Sequence, residues 1–423
     1  MKQIPVTIIS GFAGAGKTSL LKHILAARAA EKVAVLVSDL GEGDVDVALA
    51  ESATPKSRPG SEELPASPTP IGCASREHIG LELRKIGRAK AWDHLLVEAT
   101  GWSDAMPVAE SIALDDGRGT PVSRYLKIDT MITVVDAPRF LADYASQDTM
   151  RERGLAASER DVRSVVDVLV SQVELCDVIV LNKADLADEA ALSGLQAMLS
   201  KLNPTARIVR AVHGKAPVEE VVGPRRFDFD VAKDSVTAAR LADLPKAPAD
   251  HGYSALGYRR YRPFHPGRFE AFLGGGMEGV VRSKGIYWVA NKNDTAGEWT
   301  QAGAVAHQGT AGAFWAATPE KDWDISPGQR AKIKDVWREP WGDRRQEMFF
   351  VLKDRDAGDL ESRLDACLLT DAEMAAGPAG WKLFAAEEPE PEAAHDHGHD
   401  HDHDHDHDGG FKGHTIEGTR RMQ

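Results

Sequence analysis

The sequence predicts a doubly wound α/β domain over residues 1–232, a linker over 233–252, a smaller α+β domain over 253–384 and a low-complexity tail over 385–423. Three observations predict this order. Short runs rich in Val and Ile alternate with helical periodicity as far as about residue 212, shorter alternating patterns follow the linker, and complexity falls after Ala385. Continuous apolar runs separated by helices are typical of a buried, mostly parallel sheet. The later alternation is typical of an antiparallel sheet with segregated helices.

Each apolar run of the first domain is expected to form one strand of the parallel sheet. Between the second and third runs, residues 48–70 are dominated by Ser, Pro, Glu and Gly and predict a mobile loop. The predicted strands are Ile4–Ser10, Val33–Ser38, His94–Thr100, Met131–Asp136, Asp177–Leu181 and Ala206–Val212.

The second domain shows the patterns of four strands and two helices. The tail from residue 385 onward is rich in His and Asp and is expected to be disordered. The predicted strands are 253–261, 279–290, 300–307 and 347–353, and the predicted helices are 265–273 and 357–369.

Composition excludes several classes of protein. A chain of 423 residues exceeds what one hydrophobic core usually serves. The formal charge is −14, but residues 387–408 contribute ten acidic residues and no basic ones, which leaves about −4 (−14 + 10) for the rest. This balance offers no basic surface for nucleic acid. No apolar run is long enough for a signal peptide or a membrane span, so we expect a cytoplasmic protein without a membrane partner.

Cysteine usage supports the same expectation. The three cysteines, Cys73, Cys176 and Cys367, are far apart and odd in number. Such a set argues against a disulfide framework and suits a reducing compartment.

The strongest motif runs from Gly11 to Thr18, G-F-A-G-A-G-K-T, between the first predicted strand and a predicted helix. It fits G-x-x-x-x-G-K-[ST], in which glycines let backbone amides surround phosphate oxygens. Lys17 can reach the β- and γ-phosphates and the Thr18 hydroxyl can bind Mg²⁺. The predicted phosphate-binding residues are Gly11, Gly14, Ala15, Gly16, Lys17, Thr18 and Ser19.

A second motif predicts which base the bound nucleotide carries. Asn182, Lys183 and Asp185 form N-K-x-D at the end of a predicted strand. An aspartate there can accept two hydrogen bonds from guanine N1 and N2, which adenine does not present together, and Asn182 can support the loop and contact the base edge. At the ligand edge of a predicted sheet, this motif favours GTP over ATP.

A third motif is the apolar strand that ends in Glu98, followed by Gly101. The carboxylate can hold the water shell of Mg²⁺, and the Gly101 amide can contact the γ-phosphate and release it after hydrolysis.

These motifs in this order resemble the CobW-like metallochaperone group of P-loop GTPases. Val37–Asp46 is similar to the first switch of that group and Glu98–Gly101 to its E-x-T-G switch. The likeness extends into the second domain, where it is closest to the zinc-responsive bacterial members. The segments that carry it there are Arg262–Arg268, Val281–Ala290, Gly342–Gln346 and Leu364–Asp371.

The resemblance implies a GTPase that hydrolyses GTP to GDP and phosphate without a covalent intermediate. It implies delivery of a transition metal, zinc first, to a client metalloprotein. Lys17, Thr18, Glu98 and Asp39 are the expected catalytic residues, which stabilise charge and orient water. A homodimer is among the oligomeric states that the sequence leaves open.

The metal motif departs from the group's pattern. Its C-x-C-C motif is reduced to Cys73, with Ser75 and Arg76 at the other thiol positions. One thiolate must recruit nitrogen or oxygen ligands, such as His78 and Glu77 if a helix begins there, or Glu42 and Asp46 from the switch. The alternative interpretation is that Cys73 is a small buried residue and His78 a solvated one. With only one thiolate, the metal site of the group is weakened, changed in metal preference, or lost in this chain.

The tail offers a second place for metal. Its histidines alternate with carboxylates, a composition that supplies ligands for Zn²⁺, Ni²⁺, Co²⁺ or Cu²⁺. We interpret it as a metal store whose affinity falls as imidazoles protonate, and the alternative is an expression tag. Seven of the tail histidines, at every second position, are His395, His397, His399, His401, His403, His405 and His407.

Two other functions stay open at this point. One is metal storage or homeostasis with GTP as a regulator only. The other is maturation of a single metalloenzyme, of the nitrile hydratase or cobalamin-pathway type.

Overall fold

The computed structural model describes residues 3–37, 76–102, 105–115, 117, 119–156, 158–159, 161–223, 227–229, 249–384 and 415–421, with the backbone alone for 76–78 and 415–421. The chain divides into two compact units. The first comprises Met1–Leu241, Pro248–Ser254 and Ala302–Ala304, and the second comprises Ala242–Ala247, Ala255–Gln301 and Val305–Gln423. No helix within the described ranges is long and apolar enough to cross a bilayer.

The first unit contains the predicted parallel sheet. Its strand order is β2-β3-β1-β4-β5-β6, and every pair of neighbours is parallel. Each predicted apolar run is confirmed as a strand, since strands covered on both faces of a sheet are mostly apolar. The strands are β1 (Ile4–Gly11), β2 (Val33–Val37), β3 (His94–Glu98), β4 (Leu126–Asp136), β5 (Val178–Asn182) and β6 (Arg207–Arg210).

Helices follow the strands and bury apolar stripes against the sheet. In the first helix Leu20, Leu21 and Ile24 pack with Ile9 and Val180 from the strands. Spacing of three and four residues places such side chains on one helix face. The helices are α1 (Lys17–Ala27), α2 (Arg76–Ala89), α3 (Met106–Ala113), α4 (Phe140–Tyr144), α5 (Val165–Leu175), α6 (Glu189–Leu202) and α7 (Val218–Val221).

A buried histidine makes the stability of this unit depend on pH. His94 opens β3, and its Nε2 lies 2.9 Å from Thr7 Oγ1 on β1. Burial lowers the pKa of His94 from 6.5 to about 4. Below pH 6.5 the unfolded chain therefore binds a proton that the folded chain does not, so stability falls as the pH decreases from about 6.5 towards 4.

We expect the titration of His94 to lower the free energy of unfolding by about 3 kcal/mol when the pH falls to 4. Urea unfolding between pH 7.5 and 4.5 measures the effect. The variant His94→Gln, which does not titrate, should have a flatter dependence over this range. Parallel curves for the two proteins would show that His94 does not cause the loss.

The second unit contains a sheet of order β12-β10-β9-β8-β11-β7, antiparallel where β11 pairs with β8 and where β10 pairs with β12. Its core holds Tyr258, Phe264, Phe269, Trp299 and Phe350. The strands are β7 (Tyr253–Arg260), β8 (Val280–Tyr287), β9 (Thr295–Ala302), β10 (Val305–Ala313), β11 (Gln346–Lys353) and β12 (Thr415–Arg421). The helices are α8 (Pro266–Gly275), α9 (Pro327–Asp335), α10 (Ala357–Cys367), α11 (Asp371–Ala375) and α12 (Gly377–Trp381).

The antiparallel domain is confirmed, with two corrections. The predicted strand at 300–307 is wrong, because it spans the turn between β9 and β10, where Gly303 has φ 53°. A left-handed glycine lets the chain reverse within two residues. The tail is not without structure throughout, since β12 pairs with the edge of β10, where backbone ladder bonds need no apolar composition.

Other predictions fall outside the described residues. The loop at 48–70 is one, and the predicted linker at 233–252 is described only from residue 249. The domain boundaries proposed from the sequence stay a prediction.

Candidate nucleotide site

The carboxyl ends of four neighbouring strands meet at one edge of the parallel sheet. Because strands β3, β1, β4 and β5 lie side by side, the residues Glu98, Gly11, Asp136 and Asn182 that end them share this edge. Ligands of open α/β sheets bind outside such an edge, where the strand order reverses.

The phosphate-binding loop depends on three glycines. Gly11, Gly14 and Gly16 have φ values of 137°, 78° and 103°, which favour glycine. Gly16 is the N-cap of α1 and offers no side chain to the first helical amides. The first amides of a helix have no intrahelical carbonyl to bond with and commonly bind an anion.

The two chemically active side chains of this loop have defined contacts. The Lys17 Nζ donates to the carbonyl oxygens of Gly11 and Phe12, at 3.1 and 3.4 Å. The Thr18 Oγ1, in the first turn of α1, donates to Glu98 Oε1 at the end of β3, at 2.9 Å. This hydroxyl and carboxylate form an oxygen pair beside the loop, the ligand type that Mg²⁺ prefers.

Gly101 lies directly against the loop. A Cβ at this position would be 2.8 Å from Ala13 N and 3.1 Å from Lys17 Nζ. Only a residue without a side chain fits this approach, so the backbone of Gly101 passes directly beside the phosphate-binding loop.

The Asn182 side chain forms hydrogen bonds with backbone groups of two loops. Its Nδ2 donates to Ala15 O at 2.9 Å, and its Oδ1 accepts from Gly214 N at 2.9 Å. Gly214, with φ 72°, passes so close to α1 that a Cβ would be 2.6 Å from Leu20 N. Asn182 therefore links the phosphate-binding loop with residues 211–215, and it is only 2% exposed.

The other two residues of the N-K-x-D motif are oriented differently. Lys183 adopts φ 57°, and its Nζ donates to Asp136 Oδ2 at 2.6 Å. The other oxygen of Asp136, Oδ1, is buried and has no hydrogen-bond partner among the described residues. Asp185 lies exposed in the short turn 184–186, where its carboxylate is accessible to a base.

Sequence reasoning overlooked Asp136 and Gly214. Asp136 carries the same signal as Glu98, an acid that ends an apolar strand. Gly214 follows the last strand of the sheet, and its role depends on a contact with α1 that no local pattern reveals.

The structure brings the predicted nucleotide residues together but does not extend to the predicted metal ligands. Asp39, Glu42, Asp46, Cys73 and the tail histidines lie outside the described residues. Glu77 and His78 belong to α2, which begins at Arg76, and their side chains are not described. Within the described part of the chain, no group of three or more His, Cys, Asp or Glu residues could hold a metal ion.

Arg344 and Arg345 have structural partners. Arg344 donates to Asn293 O, Trp341 O and Asp294 Oδ1, and Arg345 pairs with Glu347. These contacts account for both guanidinium groups within the second unit.

Comparison with known proteins agrees with this geometry. Residues 5–210 match the family model "CobW/HypB/UreG, nucleotide-binding domain", and residues 253–368 match "Cobalamin synthesis protein cobW C-terminal domain". The zinc-regulated GTPase metalloprotein activator 1 of Dictyostelium discoideum is 33% identical over 402 residues, covering 90% of this chain and 83% of the relative.

Other relatives are more distant. The zinc chaperone Rv0106 of Mycobacterium tuberculosis is 27% identical over 74% of this chain and 76% of its own length. The zinc-regulated GTPase metalloprotein activator 1 of Schizosaccharomyces pombe is 31% identical over 50% of this chain and 46% of its own length. Two domain matches in order and a relative that spans both domains lead to one conclusion: this chain belongs to the CobW/HypB/UreG family of P-loop GTPases and carries the CobW C-terminal domain.

Proposed function

We propose that this protein binds GTP with Mg²⁺, hydrolyses it, and uses the cycle to deliver a transition metal, zinc first, to a client metalloprotein. The observation that carries the proposal is the meeting of Lys17, the Thr18–Glu98 pair, Gly101 and the N-K-x-D motif at one sheet edge. Phosphoryl transfer needs positioned charge and donors and no covalent chemistry from the protein.

The position of each residue at the sheet edge indicates its role in GTP binding and hydrolysis. Lys17 and the amides at the start of α1 stabilise charge on the phosphates, and Gly101 offers a backbone amide close to Lys17. Thr18 and Glu98 would hold Mg²⁺, directly or through water. When bound, this ion neutralises charge on the β- and γ-phosphate oxygens.

Base selection rests on Asp185 and its surroundings. Its exposed carboxylate can accept from guanine N1 and N2, while Lys183 and Asn182 are held by Asp136 and by backbone groups. An acceptor opposite the base edge discriminates between bases because the wrong base leaves polar groups unpaired.

Zinc as the cargo is supported by the relatives, whose names describe zinc-regulated or zinc-chaperone proteins. In this chain Cys73, with His78, Glu77 or Glu42, and the histidines of the tail are the proposed ligands. Metal storage with regulatory GTP is the competing function, and it would place the important metal in the tail.

One experiment separates these functions. Zinc affinity is measured for the full chain, for Cys73→Ser and for a chain lacking residues 394–408, each with GDP and with a non-hydrolysable GTP analogue. By linkage, a delivery GTPase must bind zinc with different affinity in the two nucleotide states. We expect that difference to survive the tail deletion and to be lost in Cys73→Ser. Equal affinities with both nucleotides in the full chain would refute coupling, and loss on tail deletion alone would favour storage.

A further inference from the structure

The segment that follows Gly101 forms a hydrogen bond with Arg163, a residue that belongs to none of the nucleotide motifs. The carbonyl oxygen of Trp102 accepts a hydrogen bond from Arg163 Nη2 at 3.1 Å. These two residues are 61 positions apart in sequence. The contact therefore joins the residue after the E-x-T-G switch to the segment that leads into α5.

The Arg163 side chain is fixed by a fork of contacts with Asp161. Its Nε donates to Asp161 Oδ1 at 2.9 Å and its Nη2 donates to Oδ2 at 2.7 Å. The backbone amide of Arg163 also donates to Asp161 Oδ1, at 3.2 Å. Paired contacts between a guanidinium and a carboxylate set orientation as well as distance, and the Asp161 side chain is only 5% exposed.

The helix that follows Arg163, α5, is fixed at its start by a helix cap and farther along by a bond to the sheet. The next residue, Ser164, is the N-cap of α5 and forms a capping box with Asp167. Farther along that helix, the Gln172 carbonyl accepts from Thr133 Oγ1 of β4 at 2.6 Å. Arg163 is thus anchored to the strand beside the phosphate-binding loop.

The opposite end of this connection is Gly101, whose missing Cβ would be 2.8 Å from Ala13 and 3.1 Å from Lys17 Nζ. Trp102 is covalently bonded to Gly101, so fixing the Trp102 carbonyl restricts the path of the backbone directly after Gly101. A backbone donor contributes to catalysis only when it is held in place before the reaction.

We propose that Arg163 is a positioning residue for GTP hydrolysis, which acts through the Trp102 carbonyl to hold Gly101 against the phosphate-binding loop. The proposal rests on the proposed GTPase function. Arg163 does not contact the nucleotide in this proposal, and its effect is confined to the step in which Gly101 contacts the γ-phosphate. Binding of GDP, which lacks that phosphate, is independent of it.

The test compares kcat for GTP hydrolysis, the affinity for GDP, and the affinity for GDP with aluminium fluoride, which imitates the transferred phosphoryl group. Arg163→Met, which keeps a long apolar stem but has no donor, should lower kcat about 10- to 100-fold. The affinity for GDP with aluminium fluoride should fall by a similar factor. The affinity for GDP alone should change less than about twofold, because no GDP contact is removed.

Two further variants control for a disturbed fold in Arg163→Met, in which Asp161 has lost its ion-pair partner. The double variant Asp161→Asn with Arg163→Met removes both charges and should show the same loss. Arg163→Lys, which restores a donor for the carbonyl, should recover part of the rate. Arg151→Ala is the matched control, an exposed arginine nearby whose loss should leave kcat unchanged.

The outcomes separate this proposal from the proposed function. Wild-type protein that fails to hydrolyse GTP refutes the GTPase function, and this proposal with it. An active wild type together with a wild-type rate in Arg163→Met and in the double variant refutes the role of Arg163 alone. A parallel loss of GDP affinity in both variants also refutes it, because the residue would then support nucleotide binding in general.

Discussion

Replacing Lys17 by Ala is expected to lower the rate of GTP hydrolysis about 100- to 1,000-fold, the cost of removing one preorganised charge-stabilising donor. Lys17 starts α1 within the phosphate-binding loop, where its Nζ is held by the Gly11 and Phe12 carbonyls. A positive charge fixed in this way needs no reorganisation when negative charge spreads over the transferred phosphoryl group. Alanine leaves the loop intact and removes that charge.

Phosphate release at saturating GTP and Mg²⁺ measures this effect. Lys22→Ala is the matched control, since Lys22 is an exposed lysine of the same helix. It should hydrolyse GTP at the wild-type rate. If Lys17→Ala stays within about threefold of wild type while its fold is intact, the assignment of the phosphate site is wrong.

Replacing Asp185 by Asn is expected to weaken GTP binding by about 100-fold or more and to create binding of xanthosine triphosphate. The carboxylate can accept from both N1 and N2 of guanine. An asparagine amide offers one acceptor and one donor, which match N1–H and the C2 oxygen of xanthine. The change should alter the preference for the base and leave phosphoryl transfer intact.

Competition titrations against labelled GDP with guanine, xanthine and adenine nucleotides measure this switch. The gain of xanthine binding is its own control, because a variant that merely unfolds gains nothing. Tight GTP binding by Asp185→Asn, or equal use of ATP and GTP by the wild type, would contradict the role of the N-K-x-D motif.

Local patterns predicted most of the fold. Runs such as Val178–Leu181 are apolar throughout because a parallel strand covered on both faces has no solvent side. The second domain was predicted less accurately. The turn at Gly303 was placed inside a strand, since one glycine within an alternating segment is compatible with either interpretation. The pairing of β12 with β10 was missed because edge pairing uses backbone groups that composition does not show.

The phosphate-binding loop, the N-K-x-D motif, the E-x-T-G switch and their order follow from the sequence alone, since each is a contiguous pattern with its own chemistry. Which groups meet across the sheet edge depends on the three-dimensional fold. The Thr18–Glu98 bond, the Asn182 link to Ala15 and Gly214, the Asp136–Lys183 pair and the Arg163 contact with Trp102 join residues 32 to 167 positions apart. The physical reason is that strand order and parallel register place these residues side by side, and neither is encoded in any single segment.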